Sequence, residues 1–182
     1  MQRRTLVTLL LSLLVAACQP VERLVGEGSM FRRLSGGEFI LHRDISIRAG
    51  VAHTSFQDGA VAYGYNEFYP HCELQVAEIG AEPQTIPAGT YRIGRVLGIT
   101  RYVTRPKAGI MLAAAGDFYL PVDDSGSEWY MFAYHMLLHS PTAPDGLTLV
   151  CGGAYNYPFY VKYPSLQEML WSLGPYGTIN LP

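Results

Sequence analysis

The sequence predicts a mainly β protein: an antiparallel β-sandwich or partly open barrel with one short C-terminal helix. Three observations carry this expectation. Short apolar or alternating runs, rich in Val, Ile, Thr and Tyr, recur between turn signals about 8–12 residues apart over most of the chain after residue 37. Asp58-Gly59 is a two-residue hairpin signal, because both positions of a type I′ turn need φ > 0. A helical period appears only near the end, where Ser165 stands three residues before Glu168 as a capping box and Leu166, Met169, Leu170 and Leu173 share one face.

In order along the chain, residues 38–41 and 45–47 read as short strands, the second closed by Arg48-Ala49-Gly50. Residues 51–57 and 60–65 flank the Asp58-Gly59 turn. In 72–78, Cys72, Leu74 and Val76 alternate onto one face. A Pro/Gly break over 84–89 precedes a long β-branched and aromatic strand over 90–104, which Gly94 and Gly98 can bend or bulge. Residues 110–114 and 118–122 follow, then an aspartate turn at 123–126, a long aromatic strand over 128–140 and a last strand over 147–151. Gly174-Pro175 stops the terminal helix, which is too short to stand without packing on the sheet. Ile47-Arg48-Ala49-Gly50 and Ile86-Pro87-Ala88-Gly89 form a faint internal match.

The chain opens differently. Arg3 and Arg4 precede an apolar core over residues 6–15 and the stretch Leu14-Val15-Ala16-Ala17-Cys18. That is a secretory signal, too short for a mature membrane-spanning helix. With cysteine directly after two small residues, it resembles the lipobox of bacterial lipoproteins. The resemblance implies cleavage before Cys18 and lipidation of that residue (palmitate and its relatives). About three acyl chains would then anchor the protein, where two suffice at ~0.8 kcal/mol per buried CH₂. Gln19 follows in place of Asp, which by the same resemblance favours the outer over the inner membrane. The expected organisation is a signal peptide over 1–17, a Gly-rich tether over 18–37 and a single β-rich domain over 38–182, ordered from near Glu38. A short amphipathic turn is expected around 31–34.

Composition bounds the rest. Hydrophobic residues are 49% of the chain and charged ones only 15%, so the mature part is a folded domain. The net charge is −2 with no dense basic run, which excludes nucleic acid as a partner. With Cys18 assigned to lipid, Cys72 and Cys151 remain as a pair in an oxidising compartment and read as a structural disulfide. A reactive or metal-binding cysteine is the alternative.

No catalytic set and no metal or cofactor site emerges. His135 and His139 fall on a strand, where four residues span roughly 13 Å, too far to share one ion. His71 beside Cys72 could make a catalytic pair only if the thiol were free. Gly-x-Ser-x-Gly is missing from the sequence. Asp123, Asp124 and Glu128 lack the alternation of a calcium loop, and Glu67, Glu73 and Glu78 form no evident acid–base pair.

The unusual signal is aromatic: 13 tyrosines, clustered before Cys72 and after Cys151. Tyrosine offers a flat apolar face with a polar tip at low entropic cost. Tyr65, Tyr69, His71, Tyr155 and Tyr157 are therefore the candidate binding surface, on two loops that a Cys72–Cys151 bridge would bring together. The segment 152–158 is expected to be an exposed aromatic loop. The ordered pieces Ile-x-Ala-Gly, Phe-Gln-Asp-Gly, Tyr-Pro-His-Cys-Glu-Leu and a late cysteine followed by Tyr-Pro-Ser-Leu are similar to those of small proteobacterial envelope lipoproteins, a group that lends no activity. The functional expectation is a lipid-anchored envelope protein serving as a non-enzymatic structural, assembly or ligand-binding module on the periplasmic side of the outer membrane. Its partners would be the membrane, through the lipid, and an envelope protein or glycan. A periplasmic hydrolase with dispersed catalytic residues, or a glycan-binding module, is the alternative.

Overall fold

The computed structural model describes residues 30–104, 109–111, 119–121, 128–141 and 144–182. The expected signal peptide, Cys18, and the Asp123 and Asp124 turn lie outside them. Among the described residues no helix is long and apolar enough to cross a membrane.

The protein is mainly β, as expected, built on one open, curled, eight-stranded antiparallel sheet with a short helix near the C-terminus. Helix α1 (Met30–Leu34) precedes β1 (Glu38–Leu41), β2 (Ile45–Ile47), β3 (His53–Gln57), β4 (Ala60–Ala62), β5 (His71–Gln75) and β6 (Gln84–Ile86). Then come β7 (Gly89–Thr104), β8 (Gly109–Met111), β9 (Tyr119–Pro121), β10 (Glu128–His139), β11 (Thr148–Gly152), α2 (Leu166–Leu173), a 3₁₀ turn (Gly174–Tyr176) and β12 (Gly177–Asn180). The large sheet has the order β12-β1-β7-β10-β11-β5-β3-β4. Strands β2 and β6 form a separate pair that joins the two Ile-x-Ala-Gly segments, with Ile45 opposite Ile86.

Local sequence accounts for most of these elements. Asp58 and Gly59 both have positive φ, 52° and 72°, so the β3–β4 hairpin turns as its dipeptide demands. On α2 the Ser165 Oγ accepts from the Glu168 N–H, and a Glu168 carboxylate oxygen accepts from the Ser165 N–H at 2.7 Å. Met169 and Leu173 are buried against the sheet, which is what holds so short a helix.

One face of the sheet carries the main core: Phe39, Phe56, Leu74, Tyr91, Ile93, Met136 and Leu149, with Met169 and Leu173 of α2, all buried. Gly98 belongs to this face, and a Cβ there would lie 2.4 Å from the Tyr163 hydroxyl and 3.0 Å from the Phe31 ring. The glycine thus lets Phe31, Tyr134 and Tyr163 pack edge and face over the strand.

Two expectations shift. Residues 30–37 were expected within the tether, yet α1 lies there with Leu34 fully buried and Phe31 packed on the core. The amphipathic turn expected around 31–34 is this helix; what differs is that its apolar pair, Phe31 and Leu34, packs into the domain instead of staying in the tether. The run over 147–151 is also not the last strand: β12 pairs with β1 at the sheet edge, Phe39 opposite Ile179. The strand is four residues long and follows a Gly-Pro break, so neither length nor alternation announced it.

Candidate functional site

Strand β5 sends alternate residues to opposite faces. Cys72 and Leu74 enter the main core, while His71, Glu73 and Gln75 face the other side. Cys72 stands directly opposite Cys151 on β11, and the two form a disulfide with Cα atoms 4.1 Å apart, the close-spaced kind of antiparallel pair. Both are fully buried. The structural reading of these cysteines holds, and with the sulfur bonded and on the far face, His71 has no thiolate to activate.

The second face holds a polar nucleus that sequence reasoning missed. Arg101, from β7, makes two hydrogen bonds to Glu73 at 2.7 and 3.0 Å, one to each carboxylate oxygen. Strands β10 and β11 lie between β7 and β5, so a flat sheet would hold the two backbones about 14 Å apart, with their side chains standing perpendicular to it and not towards each other. The curl of the sheet closes that distance. Small residues clear the way: a Cβ on Gly152 would lie 2.7 Å from the Met131 sulfur and 3.3 Å from the His71 ring. Gln75 donates a further hydrogen bond to Glu73, and Arg101 reaches the Tyr65 hydroxyl at 3.3 Å.

Electrostatics follow from this geometry. Burial pushes the Glu73 carboxyl up, but the Arg101 hydrogen bonds and charge outweigh it and hold the group at about 2. Burial, reinforced by the Glu73 charge, raises the Tyr65 phenol. Burial lowers His71, which is 1% exposed. Its Nδ1 meets the Tyr69 carbonyl at 3.2 Å, and since a carbonyl only accepts, Nδ1 carries the proton. Its ring stacks on Tyr65 with centroids 3.7 Å apart. Glu73 is thus saturated with donors and His71 is neutral and enclosed. Neither is placed to move a substrate proton.

This nucleus carries two loops. The Gln57 amide clamps the first, donating to the Asn66 carbonyl at 2.9 Å and accepting from the Asn66 N–H at 2.8 Å. The second loop leaves β11 and returns to β10, where Tyr130 and Asn156 exchange two 2.9 Å backbone bonds. The loops join directly, Tyr155 N–H to Glu67 carbonyl at 2.9 Å. Trp129, at the start of β10, sits between them: Phe68 meets it edge-on at 5.2 Å and Tyr157 lies over it at 4.6 Å.

The candidate residues therefore divide. Tyr69 and Tyr157 are exposed, and Tyr65 is half-buried against His71. His71 and Tyr155 are buried, against the expectation of a surface position. Tyr155 packs with Met131, Ala133, Val150 and Trp129 because its backbone is pinned to the neighbouring loop and turns the ring inward. Exposed rings outside that candidate set include Phe68, Phe159 and Tyr160 on these loops, and Tyr63, Tyr102 and Trp171 elsewhere. Glu73 and Arg101 gave no signal, since their partnership depends on the curl of the sheet. His135 and His139 lie on one strand, as expected, and no group of metal-ligating side chains occurs among the described residues. No protein-family model, curated protein or solved structure matches this chain.

Proposed function

We propose that the chain is a lipid-anchored protein of the cell envelope, with the outer membrane favoured, whose β domain is a non-enzymatic docking module for an envelope protein. The observation that carries the reading is the Phe68–Trp129–Tyr157 cluster, an aromatic patch exposed at Phe68 and Tyr157 and seated on a rigid polar nucleus. Aromatic anchors on pre-organised loops bind without large ordering costs. The lipobox-like segment supports the location. The saturation of Glu73 supports a scaffold role in place of acid–base catalysis. A polypeptide suits the patch better than a sugar ring. Phe68 stands at 83° to Trp129, and Tyr157 already covers one face of the indole, so the rings offer sockets between them and no flat platform.

The test places a photo-crosslinking residue at Tyr157 in intact cells, with a second at His53 on β3 as control. One discrete envelope-protein adduct from position 157, lost on Phe68→Ser, supports the reading. No adduct, or the same adducts from both positions, sinks it. Cys18→Ser tests the anchor separately: it should abolish palmitate labelling, and persistent labelling would remove the lipobox reading.

A further inference from the structure

At the opposite end of β10 from Trp129, roughly 33 Å along the strand, the sheet holds a second, unrelated arrangement. Met136 pairs with Val96 and Leu138 with Ile93, so Leu137 alone faces both Gly94 and Arg95. The extra residue is a β-bulge, a feature that re-aims neighbouring side chains. Gly94 is required there: a Cβ would lie 2.7 Å from His139 Nε2 and 2.8 Å from its Cδ2. The His139 ring occupies the space that the missing side chain leaves. Past the bulge, His139 and Arg92 are direct cross-strand partners.

Both line an open cleft of about 350 Å³, together with Ser140, Pro141, Pro144 and Asp145. Arg92 and Asp145 form no ion pair with each other or with any other described residue. The cleft thus presents a permanent cation, an imidazole and a carboxylate that do not neutralise one another, on walls that the proline rings stiffen. Its volume is at the small end for ligand sites. An arginine fork matches a carboxylate through two parallel hydrogen bonds, and an imidazole N–H adds a donor beside it. A lone aspartate at the same opening complements an ammonium group.

We propose that this cleft binds a small zwitterion, an amino acid or dipeptide, with its carboxylate on Arg92 and His139 and its ammonium on Asp145. The site is independent of the aromatic loops and of any partner bound there.

Calorimetric titration of the full chain with alanyl-alanine, its C-terminal amide and its N-acetyl derivative tests the assignment. The dipeptide should bind saturably in the millimolar range or tighter. The amide and the Arg92→Gln variant should each lose tenfold or more, and the N-acetyl derivative and Asp145→Asn severalfold. His139→Ala should weaken binding severalfold while leaving the bulge glycine in place. Arg92 is solvent-exposed, so its variant should melt with the parent. Lack of saturable binding overturns the proposal, as does an amide that binds as well as the acid. Equal affinity for the N-acetyl derivative, or displacement by inorganic phosphate at the same concentration, reduces the cleft to an anion site and overturns the zwitterion assignment.

Discussion

The two faces of β5 are held by different physics. Cys72 and Leu74 sit in a dry core closed by a disulfide, where burial is non-directional and a neighbour of similar size would serve. Glu73 and His71, one residue away, sit in a polar nucleus whose members depend on particular partners: Arg101, Gln75, Tyr65 and a carbonyl. The first face tolerates approximation. The second does not, because an unpaired buried charge costs more than a lost apolar contact. The exposed aromatic loops rest on that less forgiving side.

The largest expected effect breaks the dry face. The Cys72→Ala/Cys151→Ala double variant opens a loop of 79 residues, and the chain-entropy account puts the loss at up to about 4–5 kcal/mol. Urea unfolding should show a lowered midpoint and a somewhat steeper slope, because the uncrosslinked unfolded chain exposes more surface. A shift below about 1 kcal/mol would mean that β5 and β11 are held by their packing alone.

Next is the polar face. Arg101→Gln strands the Glu73 carboxylate and should cost about 2–3 kcal/mol, less than a fully buried pair because Arg101 is 31% exposed. Arg101→Met with Glu73→Leu should recover most of that loss, since the pair is then replaced by apolar volume. If the double variant is no more stable than the single one, the ion pair is not what holds the loops.

Acid should act on the same face with a defined sign. Glu73 is held at about 2 in the folded protein, below its usual value of 4.5. The unfolded chain therefore binds more protons, and stability contributed above pH 4.5 is lost as pH falls towards 2. His71 is lowered by burial, so its contribution also disappears as pH drops below about 6.5. Melting temperature should decline in both spans. In Arg101→Gln the lower span should flatten, because the hydrogen bonds and charge that chiefly oppose burial at Glu73 are gone and its pKa rises towards or above the unfolded value. An unchanged acid profile in that variant would contradict the assignment.

The smallest effect is local to the dry face. Ser165→Ala removes one half of the α2 capping box and should cost about 1 kcal/mol, read as a small drop in melting temperature. A loss several times larger would show that α2 docks through its N-terminus and not through Met169 and Leu173.

What the residues determined by themselves was local or periodic. Asp58-Gly59 dictates its turn because only two positive-φ positions fit it, Ser165 and Glu168 mark a helix start, and alternation puts Cys72, Leu74 and Val76 on one side. With Cys18 set apart as the expected lipidation site, Cys72 and Cys151 were the two cysteines left to pair, and they form the disulfide. The tertiary structure decided everything that required distant segments to meet. It brought Arg101 over two strands to Glu73, turned Tyr155 inward, set Trp129 between Phe68 and Tyr157, and docked β12 against β1. The physical reason is that alternation fixes which face a side chain occupies but not what lies across from it. That depends on strand order and on the curl of the sheet, and neither has a period that a single chain's residues display.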